Sequence, residues 1–367
     1  MESVEMSNER IKKIEELCNL FGPSACEDAV AEWIIAEAAG LCDAYKIDRM
    51  GNLIFRRRFG EGEDPIKIMV CAHMDEVGFM ITEVRDDGLL AFDAFHGSIN
   101  ESVIPSKRVV LKALDGSIIK GVVDSKAIHH KSREEEKVAP KLDSLYIDIG
   151  ATDKETAEKY VTIGSFGSFA PNFSLGGENR EKMFGKALDD RLGCAAIIEL
   201  MRNLDENAPK VSERGAEVFF CFNTREEVGL FGAKTVSYAV APDFAIVLES
   251  TTANDLYDVP AHRKVTEVGG GVALSIMDRR TIYDKETFER VSKIAEREGI
   301  KTQVKRVVAG GNDAGVIHNS RTGVKTVALS VPTRYLHSPC SLASIKDFEA
   351  MSALCEATVR DVIANGK

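Results

Sequence analysis

Apolar and polar positions alternate along the chain in two distinct patterns. In residues 10–21 and 345–364 the apolar side chains recur at three- and four-residue steps, which predicts amphipathic helices. Continuous apolar runs at 66–72, 217–222 and 244–248 instead predict buried strands. Helices and strands that alternate in this way are typical of an α/β fold.

Two of the predicted helices have recognisable starts. Ser24 precedes Glu27 by three residues, which is the spacing of a capping box, and an apolar stripe follows. Asp189 or Asp190 is the predicted cap of a helix that extends to Leu204. One of these two aspartates can cap the helix while the other points away from it.

The pattern changes between about residues 77 and 171, where short alternating segments separated by Gly turns predict closely spaced strands. Such a run inside a chain of alternating helices and strands predicts a separate β domain. We therefore predict an α/β domain made of residues 1–76 and 172–367, interrupted by a β-rich domain at 77–171. Residues 171–177, which contain Asn, Ser and two Gly, are the predicted return linker.

Composition and charge narrow the range of functions. The formal net charge is −11, which disfavours binding to nucleic acid or to an anionic membrane. The eight cysteines form no C-x-x-C pair, and the N-terminus lacks the basic start and apolar stretch of a signal peptide. We therefore expect a reduced, cytoplasmic protein that acts on a small molecule or a peptide.

Side chains that can bind a metal, either imidazoles or carboxylates, follow four of the apolar runs. In chain order these are His73 and Asp75, Glu226 and Glu227, Glu249, and finally His337. Because ligands bind outside the carboxyl ends of strands in open α/β sheets, these side chains are expected to share one polar crevice. Imidazoles and carboxylates together favour a divalent metal site.

The spacing within these motifs suggests different roles. His73 and Asp75 are two residues apart, so in a strand they face the same way, and Asp75 can orient the ring of His73. The adjacent Glu226 and Glu227 point in different directions, so one can bind a metal while the other acts on water. A carboxylate such as Asp189 can bridge two metals roughly 3.5–4 Å apart.

Each motif also has an ordinary explanation when it stands alone. His73 with Asp75 is then a buried histidine beside an acid, the glutamate pair is a solvated charge cluster, and Asp189 is a helix cap. The five candidate ligands taken together favour the metal interpretation, because three carboxylates and a hydroxide balance the four positive charges of two divalent ions. These candidates are His73, Asp189, Glu227, Glu249 and His337.

Six motifs occur in the order seen in the M42 metallo-aminopeptidases, which this chain resembles over nearly its whole length. They are AHMDEVGFMI, GKALDDRLGC, TREEVGLFGA, VLEST, GGNDAG and TRYLHSP. The resemblance implies that His73, Asp189 and Glu249 bind one metal, and that Asp189, Glu227 and His337 bind the other. By the same resemblance Glu226 is the general base and Asp75 orients His73. Glu249 departs from the pattern, since many members have Asp there.

The resemblance also implies the rest of the biochemistry. The fold is expected to be a mixed, largely parallel sheet flanked by helices, of the zinc-exopeptidase type, with a small inserted β-barrel used for self-association. The expected enzyme is an aminopeptidase that hydrolyses the N-terminal peptide bond of short peptides through water activated by two metal ions, zinc or cobalt. The expected oligomers are dimers and tetrahedral dodecamers.

Two other functions are weighed against this one. An endoglucanase-type glycoside hydrolase needs two carboxylates that flank a sugar, often with aromatic platforms, whereas this chain has a single Trp and 7% aromatic residues. A metal-stabilised scaffold without catalysis is the other alternative, and the presence of Glu226 argues against it.

Overall fold

The computed structural model describes residues 2–95, 99–130, 132–133 and 138–366. The helices of the described chain are α1 Glu2–Asn19, α2 Asp28–Glu37, α3 Lys154–Glu158, α4 Leu188–Glu206, α5 Phe231–Val240, α6 Lys285–Glu298, α7 Ala314–Ile317 and α8 Ile345–Asn365. The strands up to the return from the β domain are β1 Ala44–Ile47, β2 Leu53–Phe59, β3 Ile66–His73, β4 Phe79–Val84, β5 Leu90–Ala94, β6 Arg108–Lys112, β7 Ile118–Val123, β8 Tyr146–Asp148 and β9 Phe166–Phe169. The remaining strands are β10 Ser174–Gly176, β11 Lys182–Gly185, β12 Ala216–Asn223, β13 Phe244–Thr252, β14 Val272–Ser275, β15 Thr302–Lys305, β16 Lys325–Arg334 and β17 Ser341–Ser344.

One large sheet forms the centre of the molecule. Its 11 strands run in the order β1-β2-β12-β3-β13-β16-β17-β11-β10, with β14 added beside β16 and β15 beside β14. The four central strands β12, β3, β13 and β16 pair in parallel. The strands β1, β2, β17, β11 and β10 on either side pair antiparallel, while the added strand β14 is antiparallel to β16 and parallel to β15. Because parallel strands share one direction, the carboxyl ends of the four central strands lie at the same edge of the sheet.

Both faces of this sheet are covered by helices. On β3, Ile68 and Val70 pack into the core formed with α1, α4 and α8, while Met69 and Cys71 pack into the core formed with α5 and α7. A strand buried on both faces needs apolar residues at every position. This explains why β3 and its neighbours appear in the sequence as continuous apolar runs.

A second domain interrupts the first. Strands β4-β5-β8-β7-β6-β9 close into an antiparallel barrel that has its own apolar core. The mixed α/β sheet and the inserted six-stranded barrel confirm the predicted fold class. The barrel strands lie inside the predicted range 77–171, and those domain boundaries stay a prediction.

Two local predictions were wrong. Ser24 does not cap α2, because Glu27 is the residue before that helix and Ser24 Oγ instead donates to Asp75 Oδ2 at 2.5 Å. The predicted linker 171–177 contains β10, which pairs with β11 at the edge of the sheet. In the described part of the chain, no helix has the length and apolar character needed to cross a membrane.

Candidate metal centre

The carboxyl-terminal edge of the central strands brings the five candidate ligands together. His73 is the last residue of β3, and Glu249 lies near the end of β13. Glu227 and His337 follow β12 and β16 respectively, while Asp189 lies in the first turn of α4. Although the five are scattered between residues 73 and 337, parallel pairing places their segments side by side.

These side chains form two groups that share Asp189. In the first group, His73 Nε2 lies 3.3 Å from Asp189 Oδ1 and 3.4 Å from Glu249 Oε1. In the second, His337 Nε2 lies 3.2 Å from Glu227 Oε2 and 3.7 Å from Asp189 Oδ2. Within each group the potential ligand atoms all lie within 4.8 Å of one another. The two oxygens of Asp189 thus face different groups, as a bridging carboxylate requires.

The chemistry of these groups fits two divalent cations. Asp189 Oδ1 is buried and accepts no hydrogen bond, although most buried polar atoms have such a partner. Each group combines one imidazole with two carboxylates, a ligand set that suits zinc and neighbouring transition metals. A metal ion would supply the partner that Asp189 Oδ1 lacks.

The electrostatics of the carboxylates point the same way. Burial, together with the nearby charge of Asp189, raises the pKa of Glu249 to about 8. Burial likewise raises the pKa of Glu227 to about 7, with His337 acting in the opposite direction. Burial also acts to raise the pKa of Asp189, but the rings of His337 and His73 outweigh it and the net shift is downward. Crowded buried carboxylates are costly as anions unless cations compensate them.

Asp75 holds the chain segments that carry the site. Its Oδ1 accepts the backbone N–H of Glu226 at 3.0 Å. Its Oδ2 accepts the backbone N–H of Glu227 at 3.2 Å and also the hydroxyl of Ser24. The Nδ1 atom of His73 lies 3.0 Å from the Asp75 carbonyl oxygen and 3.5 Å from Oδ1. Asp75 therefore contacts the backbone of both glutamates as well as the histidine ring.

Glu226 lies beside the two groups without belonging to either. It lines the same cavity of about 270 Å³ as His73, Asp189, Glu227, Glu249 and His337. Burial raises the pKa of Glu226 well above its ordinary value, and the negative charges of Glu249 and Glu227 add to that effect. A carboxylate with a raised pKa next to a metal site is well suited to take up a proton.

A buried ion cluster fixes the segments on either side of the site. Lys186 Nζ lies 2.5 Å from Glu76 Oε1, and Arg191 approaches the same oxygen at 3.6 Å. Arg191 also donates to the carbonyl oxygens of Met74 and Leu17. Because Glu76 follows β3 and Arg191 lies at the start of α4, the cluster links the segment of His73 to that of Asp189.

Left-handed backbone conformation occurs at several residues around the site, including three at or near its candidate ligands. Ala187, Arg225 and His337 have φ values of 53°, 57° and 57°. Left-handed φ is uncommon for residues other than glycine and is found preferentially at functional sites. Each of the three is a candidate ligand or lies within two residues of a candidate ligand or of Glu226.

The structure adds residues that the motifs did not reveal. Ser24 donates to Asp75, and Lys305 lines the cavity. Asp190, predicted only as a possible cap, also accepts the backbone N–H of His73. The backbone of Asp189 and Asp190 is not helical, so Asp190 caps the regular part of α4 by accepting the N–H of Gly193 at 3.0 Å. The prediction that one aspartate caps α4 while its neighbour reaches the crevice is thereby met, with Asp190 as the cap. Lys305 carried no signal, because a lysine ending a short polar strand is ordinary.

Several known proteins resemble this chain in sequence and in fold. Residues 51–354 match the sequence model of a family described as M42 glutamyl aminopeptidase. A lysyl aminopeptidase of Pyrococcus furiosus is 32% identical to the chain over 327 residues, or 88% of each protein. The TET aminopeptidase of a marine-sediment Thaumarchaeota archaeon superimposes with a TM-score of 0.91 at 30% identity, covering 98% of both chains. The TET1 peptidase of Pyrococcus horikoshii, which can assemble into a tetrahedron or a large octahedral shell, gives 0.81 at 33% identity over 95% of this chain and 98% of that one.

Proposed function

Because the chain belongs to the M42 glutamyl aminopeptidase family, and is therefore a metallo-aminopeptidase and a hydrolase, we propose that it removes N-terminal residues from short peptides at a dinuclear metal centre. One observation carries this proposal above the others. Two ligand groups share Asp189, and Glu226 lines the same cavity without joining either group.

We assign the residues as follows. His73, Asp189 and Glu249 would hold one divalent ion, and Asp189, Glu227 and His337 the other. When bound, such ions lower the pKa of water and polarise the carbonyl of the scissile bond. Zinc and cobalt both suit the mixture of imidazole and carboxylate ligands.

Glu226 is the general base in this assignment. It takes a proton from the attacking water and later gives it to the amine that leaves. Burial raises the pKa of Glu226, and this favours the second step, because a carboxylate that is too acidic returns its proton poorly. Asp75 keeps Glu226 in place by accepting its backbone N–H.

The test separates metal binding from catalysis. Glu226→Gln keeps the size of the side chain but cannot accept the proton, so kcat on an aminoacyl-anilide should fall by roughly 10²–10⁴-fold. Metal content, measured by elemental analysis, should remain near two ions per chain. The matched control is Glu61→Gln at an exposed position, which should keep its activity. If Glu226→Gln retains most of its peptidase activity with two metals bound, Glu226 is not the base.

The barrel domain is the proposed surface for self-association. Leu114, Ile118 and Ile163 are exposed on the barrel, with 60%, 47% and 67% of their surfaces accessible. Exposed apolar side chains mark interaction surfaces where they lie together, and these three are the candidates on the barrel. The related TET1 peptidase of Pyrococcus horikoshii assembles into closed shells. We place dimers and a tetrahedral dodecamer among the expected assemblies.

The thiols support the proposed cytoplasmic location. All eight cysteines are free in the structure. Unpaired thiols in this number are typical of a reducing compartment. Alkylation of intact cells before lysis, followed by mass spectrometry, should label the exposed Cys340 without prior reduction, and a disulfide there would contradict this location.

A further inference from the structure

Three consecutive backbone N–H groups just after β12 donate to buried carboxylates. Those of Glu226 and Glu227 donate to Asp75. The N–H of Arg225 donates to a different carboxylate, that of Glu27, with 3.2 Å between the nitrogen and Oε1. Arg225 has a left-handed backbone and directly precedes the proposed general base. Glu27 therefore holds the first residue of the turn that carries Glu226.

Glu27 is buried, although a carboxylate is costly to bury. Only 6% of its surface is exposed, and among the described residues of α2 its side chain accepts no capping hydrogen bond. Burial, together with the negative charge of Asp75, raises the pKa of Glu27 to about 7, while the N–H groups of Ala25 and Arg225 act in the opposite direction. The first of these lies 2.9 Å from the same Oε1. One oxygen thus joins the segment before α2 to the turn after β12.

The segment that carries Glu27 is itself attached beside the site. Ser24 donates its hydroxyl to Asp75 and its backbone N–H to the carbonyl oxygen of Glu76. Pro23 pairs with Glu76 as an isolated parallel bridge. The position of Glu27 relative to the site is therefore fixed by the contacts of its neighbours.

We propose that Glu27 is a positioning residue, whose carboxylate oxygen holds the N–H of Arg225 and thereby sets the direction in which Glu226 enters the cavity. The inference rests on the proposed aminopeptidase function, in which Glu226 is the base, and adds a residue to that mechanism. Glu27 is not among the described residues that line the cavity, so it acts on the reaction through Glu226. A misplacement of a catalytic group by about 1 Å can cost roughly 10²-fold in rate.

The test separates the reach of the side chain from its charge. Glu27→Gln keeps an acceptor oxygen at the same distance from the backbone but removes the charge, so kcat on an aminoacyl-anilide should stay near that of the wild type. Glu27→Asp keeps the charge but shortens the side chain by a methylene group, so its carboxylate no longer reaches Arg225 and kcat should fall by roughly 10- to 100-fold. Aspartate is favoured immediately before a helix, so this variant is expected to fold. KM should change little in both variants, because Glu27 lies outside the cavity.

A second readout tests whether Glu27 acts through Glu226. In a chain that already carries Glu226→Gln the base is absent, so adding Glu27→Asp should lower kcat little further. A purely structural role would multiply the two losses instead. Metal content, measured by elemental analysis, should stay near that of the wild type in every variant, because a loss of ions would place the effect at Glu227.

The controls keep the result interpretable. Glu32→Asp shortens an exposed glutamate on α2, the helix that Glu27 precedes, and should leave kcat unchanged. Thermal unfolding shows whether each variant is folded. Should Glu27→Asp not fold, Glu27→Gln still decides, because a folded Gln variant with a large loss in kcat refutes a role that depends on the acceptor oxygen.

Three results overturn the inference. One is a Glu27→Asp variant that keeps the kcat of the wild type. Another is a Glu27→Gln variant that loses as much activity as Glu27→Asp, which would mean that the oxygen alone is not what matters. The third is a loss in Glu27→Asp that persists in full when Glu226→Gln is also present. If the metal-loaded wild type cleaves no anilide at all, the proposed function itself fails.

Discussion

Replacing Asp75 by asparagine tests whether one buried carboxylate holds Glu226 and Glu227 in place. The carboxylate accepts the N–H of Glu226 on Oδ1 and the N–H of Glu227 on Oδ2. Asparagine has the same shape but offers only one acceptor oxygen, because the other position is an NH₂ group. Whichever way the amide turns, one of the two glutamates faces a donor instead of an acceptor.

The magnitude follows from the hydrogen bonds that are lost. A hydrogen bond to a charged acceptor contributes about 1.5–3 kcal/mol, so Asp75→Asn should lower the free energy of unfolding by at least that amount. The ring of His73 loses a neighbouring negative charge, and losses of this kind lower metal affinity or activity by roughly 10- to 100-fold. Denaturant titration gives the first quantity. Metal titration and kcat/KM on an aminoacyl-anilide give the second.

Ser24→Ala is the matched comparison, because Ser24 donates to the same carboxylate. That variant removes one donor but leaves both glutamate N–H groups with their acceptors. It should lose about 1.5–3 kcal/mol of stability, the value of one hydrogen bond to a charged acceptor, and should keep metal affinity close to that of the wild type. The reasoning is refuted if Asp75→Asn retains the kcat/KM and metal affinity of the wild type, or if Ser24→Ala damages catalysis equally.

Two further predictions concern the stability and the assembly of the protein. Glu76→Ala should lower the free energy of unfolding by about 3–5 kcal/mol, because it leaves Lys186 and Arg191 buried without their anion. A denaturant titration measures this, and an unchanged midpoint would contradict it. Ile163→Asp on the barrel places a charge at an exposed apolar position of the proposed interface, so its oligomers should be smaller than those of the wild type. Light scattering measures their mass, and an equal mass would place the interface elsewhere.

The parts of the site that the sequence reveals are those with a local signal. His73 and Glu249 stand at the ends of apolar runs that become β3 and β13, so strand direction alone brings them to one edge. Ser24 was misassigned because its spacing to Glu27 fits a cap, whereas its actual partner Asp75 lies 51 residues further on. Lys305 could not be found in this way, since its burial depends on packing between segments that are distant in the chain.

The scattering of the ligands over the chain has a consequence for biosynthesis. His73 and Asp189 emerge from the ribosome long before His337. A nascent chain that has not yet reached His337 therefore holds only part of the proposed ligand group of Asp189, Glu227 and His337. The proposed pair of ions can be acquired completely only after translation has passed residue 337, so an arrested chain that stops before this point is expected to lack activity.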